Sequence, residues 1–206
     1  MNLLSEFDLE LLKKHNKIIG IDEVGRGCLA GPLIVCGIIM KYDNIIEEIN
    51  DSKKLSIKKR EELNKIIFDN IESYCIIEVS VEDVDKYNVY QATKKAMNEI
   101  ADKLNEKNAL ILSDAMNLDF DNNLSLIKGD TKSYAIACAS IVAKVYRDNL
   151  MDELDLKYPS YDLKNNKGYG TKKHLEAVEK YGYNLDIHRK TFDPVKSMLH
   201  KQMSLF

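Results

Sequence analysis

The chain has 206 residues, 45% of them hydrophobic and 31% charged, ordinary proportions for a soluble globular protein with one good core. No apolar run approaches the roughly 20 residues of a membrane helix, and the acids among the apolar residues of MNLLSEFDLELLKKHN exclude a secretory signal. The net charge is −3, yet Lys157 to Phe206 holds 10 Lys and Arg against 5 Asp and Glu, so the preceding residues carry −8. An acidic body with a basic end suits a metal site and a phosphate-contacting surface, although a solvated helical face explains the lysines equally well.

The opening segment has the spacing of a short amphipathic helix. Ile18 to Ile21 then reads as a buried strand. Asp22 and Glu23 stand at its end, with Gly25, Arg26, Gly27, Gly31 and Pro32 behind them. GRGCLAGP is too short for a crossover helix, so Leu33 to Met40 is expected as an antiparallel neighbour. Asp51 to Ser56, DSKKLS, is a polar connection. Ser56 suits the N-cap of a helix whose apolar positions are Ile57, Leu63, Ile66, Ile67 and Ile71. Tyr74 to Val79 reads as a third strand, and Ser80 with Asp83 as a capping box opening a mostly helical Val81 to Asn108.

Ala109 to Leu112 is a short strand ending at Ser113 and Asp114. Leu124 to Ile127 is another, leading to Lys128, Gly129 and Asp130. Ser133 to Leu154 is the most helical segment, with small residues (Ala135, Ala137, Ala139, Ser140, Ala143) that permit close approach to a sheet. Tyr158 and Pro159 end it. Lys167 to Tyr169 is a loop, Thr171 caps KKHLEAVEKY, which stops at Gly182, and a last helix spans about Pro194 to Lys201. No repeat or low-complexity linker interrupts the chain, so one α/β domain with a helical C-terminal extension is expected: a core over 1–156, an extension over 157–200 and a tail over 201–206.

Cys28, Cys36, Cys75 and Cys138 form no CxxC pair, and reduced thiols in a cytoplasmic protein are expected. The four histidines show no ligand spacing, so zinc is not indicated. Four acids sit where strands end or helices begin: Asp22, Glu23, Asp114 and Asp130. Adjacent carboxylates resist ionising together, a cost that a hard divalent cation removes. If the first and fourth strands are neighbours, Asp22 and Asp114 meet at one sheet edge. Asp114 and Asp130 suit helix caps just as well. In a regular strand Asp22 and Glu23 point to opposite faces, so sharing one site requires the strand to end, twist or bulge there. The glycines could also form a dinucleotide-binding turn, but a β-like run follows them instead of a helix.

IDEVGRGCLAGP, DSKKLS, Asp114, KGDTKSYAIACASIVAKVYRD, KGYGT and HRKTFDPV resemble, in that order, the blocks of bacterial ribonuclease HII. The resemblance spans Ile18 to about Val195. It implies a ribonuclease H-like mixed sheet flanked by helices, and cleavage of RNA within RNA–DNA hybrids. It also implies incision at single ribonucleotides embedded in DNA, with Mg2+ or Mn2+ as cofactor, no membrane and a monomeric protein. By the same resemblance Asp22, Glu23, Asp114 and Asp130 are the metal-site acids, and Gly25, Arg26 and Gly27 contact the ribose 2′-hydroxyl, the group that marks RNA. Tyr169 stacks on the sugar at the RNA–DNA junction; Lys53, Ser133 and Arg189 contact phosphates. Family chemistry is in-line attack of water with metal assistance, leaving 5′-phosphate and 3′-hydroxyl ends. Cys28 stands where the family often has proline, implying a looser loop. Arg26 stands where the ribonuclease HIII type normally has lysine, which sets that type aside.

The final residues, Gln202, Met203, Ser204, Leu205 and Phe206, resemble the pentapeptide with which bacterial proteins bind the replication sliding clamp. An apolar helix end would read the same way. Two other functions use the same fold: a hybrid-binding protein without chemistry, whose mark would be a missing acid, and a nuclease acting on DNA alone, which needs neither the Gly25–Gly27 loop nor Tyr169.

Overall fold

A computed structural model describes residues 2–203, with the side chains of 202 and 203 left aside. It contains a five-stranded sheet in the order β3-β2-β1-β4-β5. The strands are β1 (Lys17–Val24), β2 (Leu33–Met40), β3 (Ile71–Val79), β4 (Ala109–Asp114) and β5 (Asn123–Leu126). β1 runs antiparallel to β2 and parallel to β4, and β4 runs parallel to β5. The sheet is therefore mixed, as expected. GRGCLAGP supplies the tight antiparallel link, whereas β1 and its parallel neighbour β4 are separated in the chain by β2, β3 and intervening helices, well beyond the dozen or so residues a parallel connection needs.

The helices are α1 (Leu3–Leu12), α2 (Ile57–Asn70), α3 (Val81–Tyr87), α4 (Val89–Leu104), α5 (Tyr134–Lys157), α6 (Leu163–Asn166), α7 (Lys172–Tyr181) and α8 (Val195–Met203). Ser56, Ser80 and Thr171 each accept a backbone N–H as N-caps, at Lys59, Asp83 and His174. Ile71 departs from expectation. It is not a helix position but the first residue of β3, because the helix ends at Asn70 and the chain turns extended there.

Contacts divide the chain into two compact units: Met1–Val24, Ile34–Ile77 and Thr93–Val145 in one, Gly25–Leu33, Glu78–Ala92 and Tyr146–Phe206 in the other. In the first unit, pairing of Gly20 with Ile38 and of Ile21 with Gly37 assigns these residues to alternate sheet faces. Gly20 lies directly against Ala135 of α5, and Gly37 against Ile100 of α4, so helices cover both faces. Ile34, Cys36 and Ile38 of β2 pack with Leu63 and Ile67 of α2 and with Ala137, Cys138 and Ile141 of α5. The second unit has its own core, in which Leu29 and Ala30 meet Met151, Tyr161, Leu163, Val178, Ile187 and Val195. Among the described residues no helix is long and apolar enough to cross a membrane.

Candidate active site

Pairing of β1 with β4 runs from Lys17 opposite Ala109 to Ile21 opposite Ser113 and stops there. The next pair in that register is Asp22 and Asp114. The two carboxylates thus leave the sheet at the carboxyl ends of neighbouring parallel strands, where open α/β sheets place their ligands. On the β2 side pairing continues regularly through Asp22 opposite Cys36 and Glu23 opposite Val35. No bulge interrupts it. Alternation sends Asp22 to the face that α5 covers and Glu23 to the other, and it is the end of β4 pairing that opens the strand at this point.

Asp22 is buried. Its Oδ1 accepts the Glu23 N–H at 2.8 Å, and the Ser140 side chain on α5 hydrogen-bonds the same carboxyl group. The Ser140 hydroxyl lies 2.9 Å from that of Ser52; with the Ser140 proton on Asp22, Ser52 is the donor between them. Burial pushes the Asp22 carboxyl well above the usual carboxylate range, and the charges of Glu23 and Asp114 push it further, against the Ser140 bond.

Asp114 Oδ1 accepts the Gly129 N–H at 2.6 Å. That bond fastens the turn Gly129–Thr131 to the end of β4 and brings the buried Asp130 beside it. Asp130 therefore arrives from a short 3-10 turn ahead of α5. Its Oδ2 is 3.2 Å from Nζ of Lys53, whose side chain is 80% exposed. Burial works against the Lys53 charge, but Asp130 and then Asp22 hold its ammonium above the ordinary range. The acids are thus linked pairwise. Among the described residues, no three His, Cys, Asp or Glu side chains close around a point that could hold an ion as they stand. Asp114 and Asp130 each commit an oxygen elsewhere, to Gly129 and Lys53. The donor set still fits a hard divalent cation: every ligand it offers is a carboxylate oxygen, and a buried Asp22 whose ionisation the charges of Glu23 and Asp114 oppose is the arrangement such a cation relieves.

The glycine loop and Tyr169 belong to the second unit. Gly25 has φ +97°, and two buried arginines hold the loop by its carbonyls. Arg147 donates to Pro32 at 3.0 Å, Ala30 at 3.1 Å and Lys167 at 2.7 Å. Arg189 donates to Arg26 at 2.9 Å and Gly31 at 3.0 Å. Arg189 is 0% exposed, and burial pulls its guanidinium down to about 10. The expected phosphate contact at Arg189 is corrected here, because its fork is turned inward onto the loop. Ser133 is corrected likewise: it is fully buried, its hydroxyl caps α5 through the Ile136 N–H and also bonds Asp8. Cys28 is anchored within the loop. Its buried thiol lies 3.7 Å from the Lys167 carbonyl and bonds the Tyr169 side chain. Tyr169 is 44% exposed, and around Gly27 the space is open.

Ser140, Ser52, Arg147, His174 and His188 were not identified from sequence as site residues. Ser140 carried a signal only as a small helix residue, and the arginine only as a charge within KVYRD. At the other end, helical backbone continues through Met203. The Gln202 side chain, Leu205 and Phe206 lie outside the described residues.

A family model described as Ribonuclease HII matches residues 19–195. Ribonuclease HII of Staphylococcus saprophyticus is 45% identical over 200 residues, covering 96% of this chain and 78% of the relative. Among solved structures, ribonuclease H2 of Pyrococcus horikoshii superposes with TM-score 0.72 at 24% identity, covering 90% of this chain and 98% of that one, which bears on the fold. A structure titled as the PCNA:RNase HII complex of Archaeoglobus fulgidus gives 0.71 at 26% identity, with 84% and 93% covered.

Proposed function

Because the chain belongs to the ribonuclease HII family, and is thus a ribonuclease H endonuclease, we propose that it also incises DNA at single embedded ribonucleotides. In this reading Asp22, Glu23, Asp114 and Asp130 are the catalytic carboxylates, and the products carry 5′-phosphate and 3′-hydroxyl ends. The observation that carries it is the register placing Asp22 level with Asp114 beyond the last β1–β4 pair. A bound Mg2+ or Mn2+ would activate the attacking water and stabilise the departing 3′-oxygen. The chain itself supplies the rest. Ser52 and Ser140 orient Asp22, and Lys53 beside Asp130 offers an exposed cation to a phosphate.

Gly25, Arg26 and Gly27 follow Val24 directly in the chain, and their open main chain is free of side-chain bulk at Gly27. This supports a contact with the 2′-hydroxyl, the group that separates RNA from DNA. Tyr169 is 44% exposed, which supports its availability for stacking on a sugar. Asp22→Asn tests the site. Cleavage should fall by about 100-fold or more, the upper range for disturbing a metal-site residue, while hybrid binding in chelator stays within about 2-fold. Full cleavage by the variant would sink the assignment.

A clamp contact through Gln202, Leu205 and Phe206 is a second proposal, supported by the tail sequence and by the PCNA complex of the archaeal relative. Deleting 202–206 should weaken capture on an immobilised bacterial sliding clamp by about 10-fold or more, the loss expected when an apolar anchor is removed, with cutting of short duplexes unchanged. Equal capture of both proteins would discard the contact.

A further inference from the structure

His174 on α7 and His188 beside the glycine loop are both fully buried, and the chemistry above uses neither. Their Nε2 atoms lie 3.1 Å apart. Only one hydrogen fits between two ring nitrogens at that distance, so the outer nitrogens decide which ring owns it. His174 Nδ1 is 2.9 Å from the Tyr169 carbonyl oxygen, which can only accept, so Nδ1 carries a hydrogen. A neutral His174 then has a bare Nε2, and the shared hydrogen belongs to His188. That leaves His188 Nδ1 bare, and the Asn184 N–H donates to it at 3.0 Å.

The Asn184 carbonyl is also 3.0 Å away, but it would receive a hydrogen only if the pair gained a proton. Burial opposes that gain: it holds His174 below its ordinary range and His188 down to about 4. The bond to the Tyr169 carbonyl and then Asp162 favour a charge on His174, and the Asn184 carbonyl favours one on His188 while His174 disfavours it, but burial outweighs them at both rings. The Tyr161 ring centre lies 4.7 Å from that of His188 and 6.3 Å from that of His174, steeply inclined to both rings. One polarity therefore satisfies every group, running from the Asn184 N–H through His188 and His174 to the Tyr169 carbonyl.

The His188 segment and the Tyr169 end of this chain of bonds are tied to the same loop. Ile187 and Arg189, flanking His188, exchange main-chain bonds with Gly31 at 2.8 Å and Leu29 at 3.0 Å. Gly168, preceding Tyr169, accepts the N–H groups of Leu29 at 2.8 Å and Ala30 at 3.1 Å. We propose that His188 and His174 are positioning residues that lock the Tyr169 turn against the glycine loop, presetting the distance between the stacking ring and the main chain that meets the ribose. This rests on the reading of Tyr169 as a sugar contact.

The test compares kcat/KM on a duplex with one embedded ribonucleotide for the parent and four variants. His174→Gln keeps a partner for His188 but cannot reach the Tyr169 carbonyl. His174→Asn keeps a donor at the Nδ1 position. The Gln variant should lose about 10-fold, the scale of one hydrogen bond, and the Asn variant should recover most of it. In a Tyr169→Ala background, adding His174→Gln should change the rate by less than about 2-fold, because its effect passes through Tyr169. A further 10-fold loss in that background overturns the positioning role, as does an undiminished His174→Gln when Tyr169→Ala alone is impaired. An undiminished Tyr169→Ala overturns the sugar contact and this proposal together. Histidine-ring 15N spectra of the parent need no variant to fold: they should show His174 as the Nδ1–H tautomer and His188 as the Nε2–H tautomer near neutral pH, and the opposite pair overturns the proposal.

Discussion

Asp8 shows what a single buried carboxyl does away from the candidate site. It lies on α1, fully buried, where Oδ2 accepts the Tyr42 hydroxyl at 2.7 Å and the Ala135 N–H at 2.8 Å. One helix thus caps the amino end of another. Burial raises its pKa from 3.8 to about 6, and hydrogen bonds from Ala135, Tyr42 and Ser133 offset only part of that rise. The folded state therefore holds this proton more tightly than the unfolded chain. Its stabilising contribution is complete below the unfolded value, and is lost as pH rises through the folded one. With a shift of about 2 units, at roughly 1.4 kcal/mol each, Asp8→Asn should gain about 2 kcal/mol relative to the parent between about pH 4 and about pH 7. Denaturant titrations at several pH values measure it, and a stability difference independent of pH would refute it.

At the scale of elements, the glycine loop is held by neighbours that offer donors and acceptors in fixed places. Gly168 is the tightest of them. Its φ is +82°, and a Cβ there would lie 2.2 Å from the Ala30 carbonyl oxygen. Gly168→Ala should cost at least about 1–2 kcal/mol for the left-handed backbone alone, lowering the melting temperature by a few degrees at roughly 2–4 °C per kcal/mol. An unchanged melting curve would contradict the placement of this turn. The elements themselves were readable because caps and apolar periodicity are local: Ser56, Ser80 and Thr171 announce their helices. The parallel β1–β4 pairing that brings Asp22 level with Asp114 was only a condition in the sequence, since no local pattern states which distant strands pair. Ser140 and the histidine pair were invisible for the same reason. Arg189 and Ser133 misled in another way, because residue type announces a charge or hydroxyl but not whether carbonyls, a carboxyl or solvent will face it.

For the molecule as a whole, the charge distribution makes the divalent ion a matter of stability as well as chemistry. The residues before Lys157 carry −8, and Asp22 is buried under the influence of Glu23 and Asp114. A cation bound by these carboxylates binds only the folded chain, because the unfolded chain scatters them. At a free metal concentration about 100 times its dissociation constant, such binding stabilises by about 2.7 kcal/mol, which corresponds to roughly 5–10 °C in melting temperature for a chain of this size. Mg2+ or Mn2+ should therefore raise the melting temperature of the parent, and a chelator should reverse the rise. Asp22→Asn should lose most of it, although general screening by the added salt acts on both proteins alike. Sodium chloride at matched ionic strength measures that screening part. If the parent and Asp22→Asn respond equally to the divalent ion after this correction, the ion is not held at Asp22, whatever the cleavage assay reports.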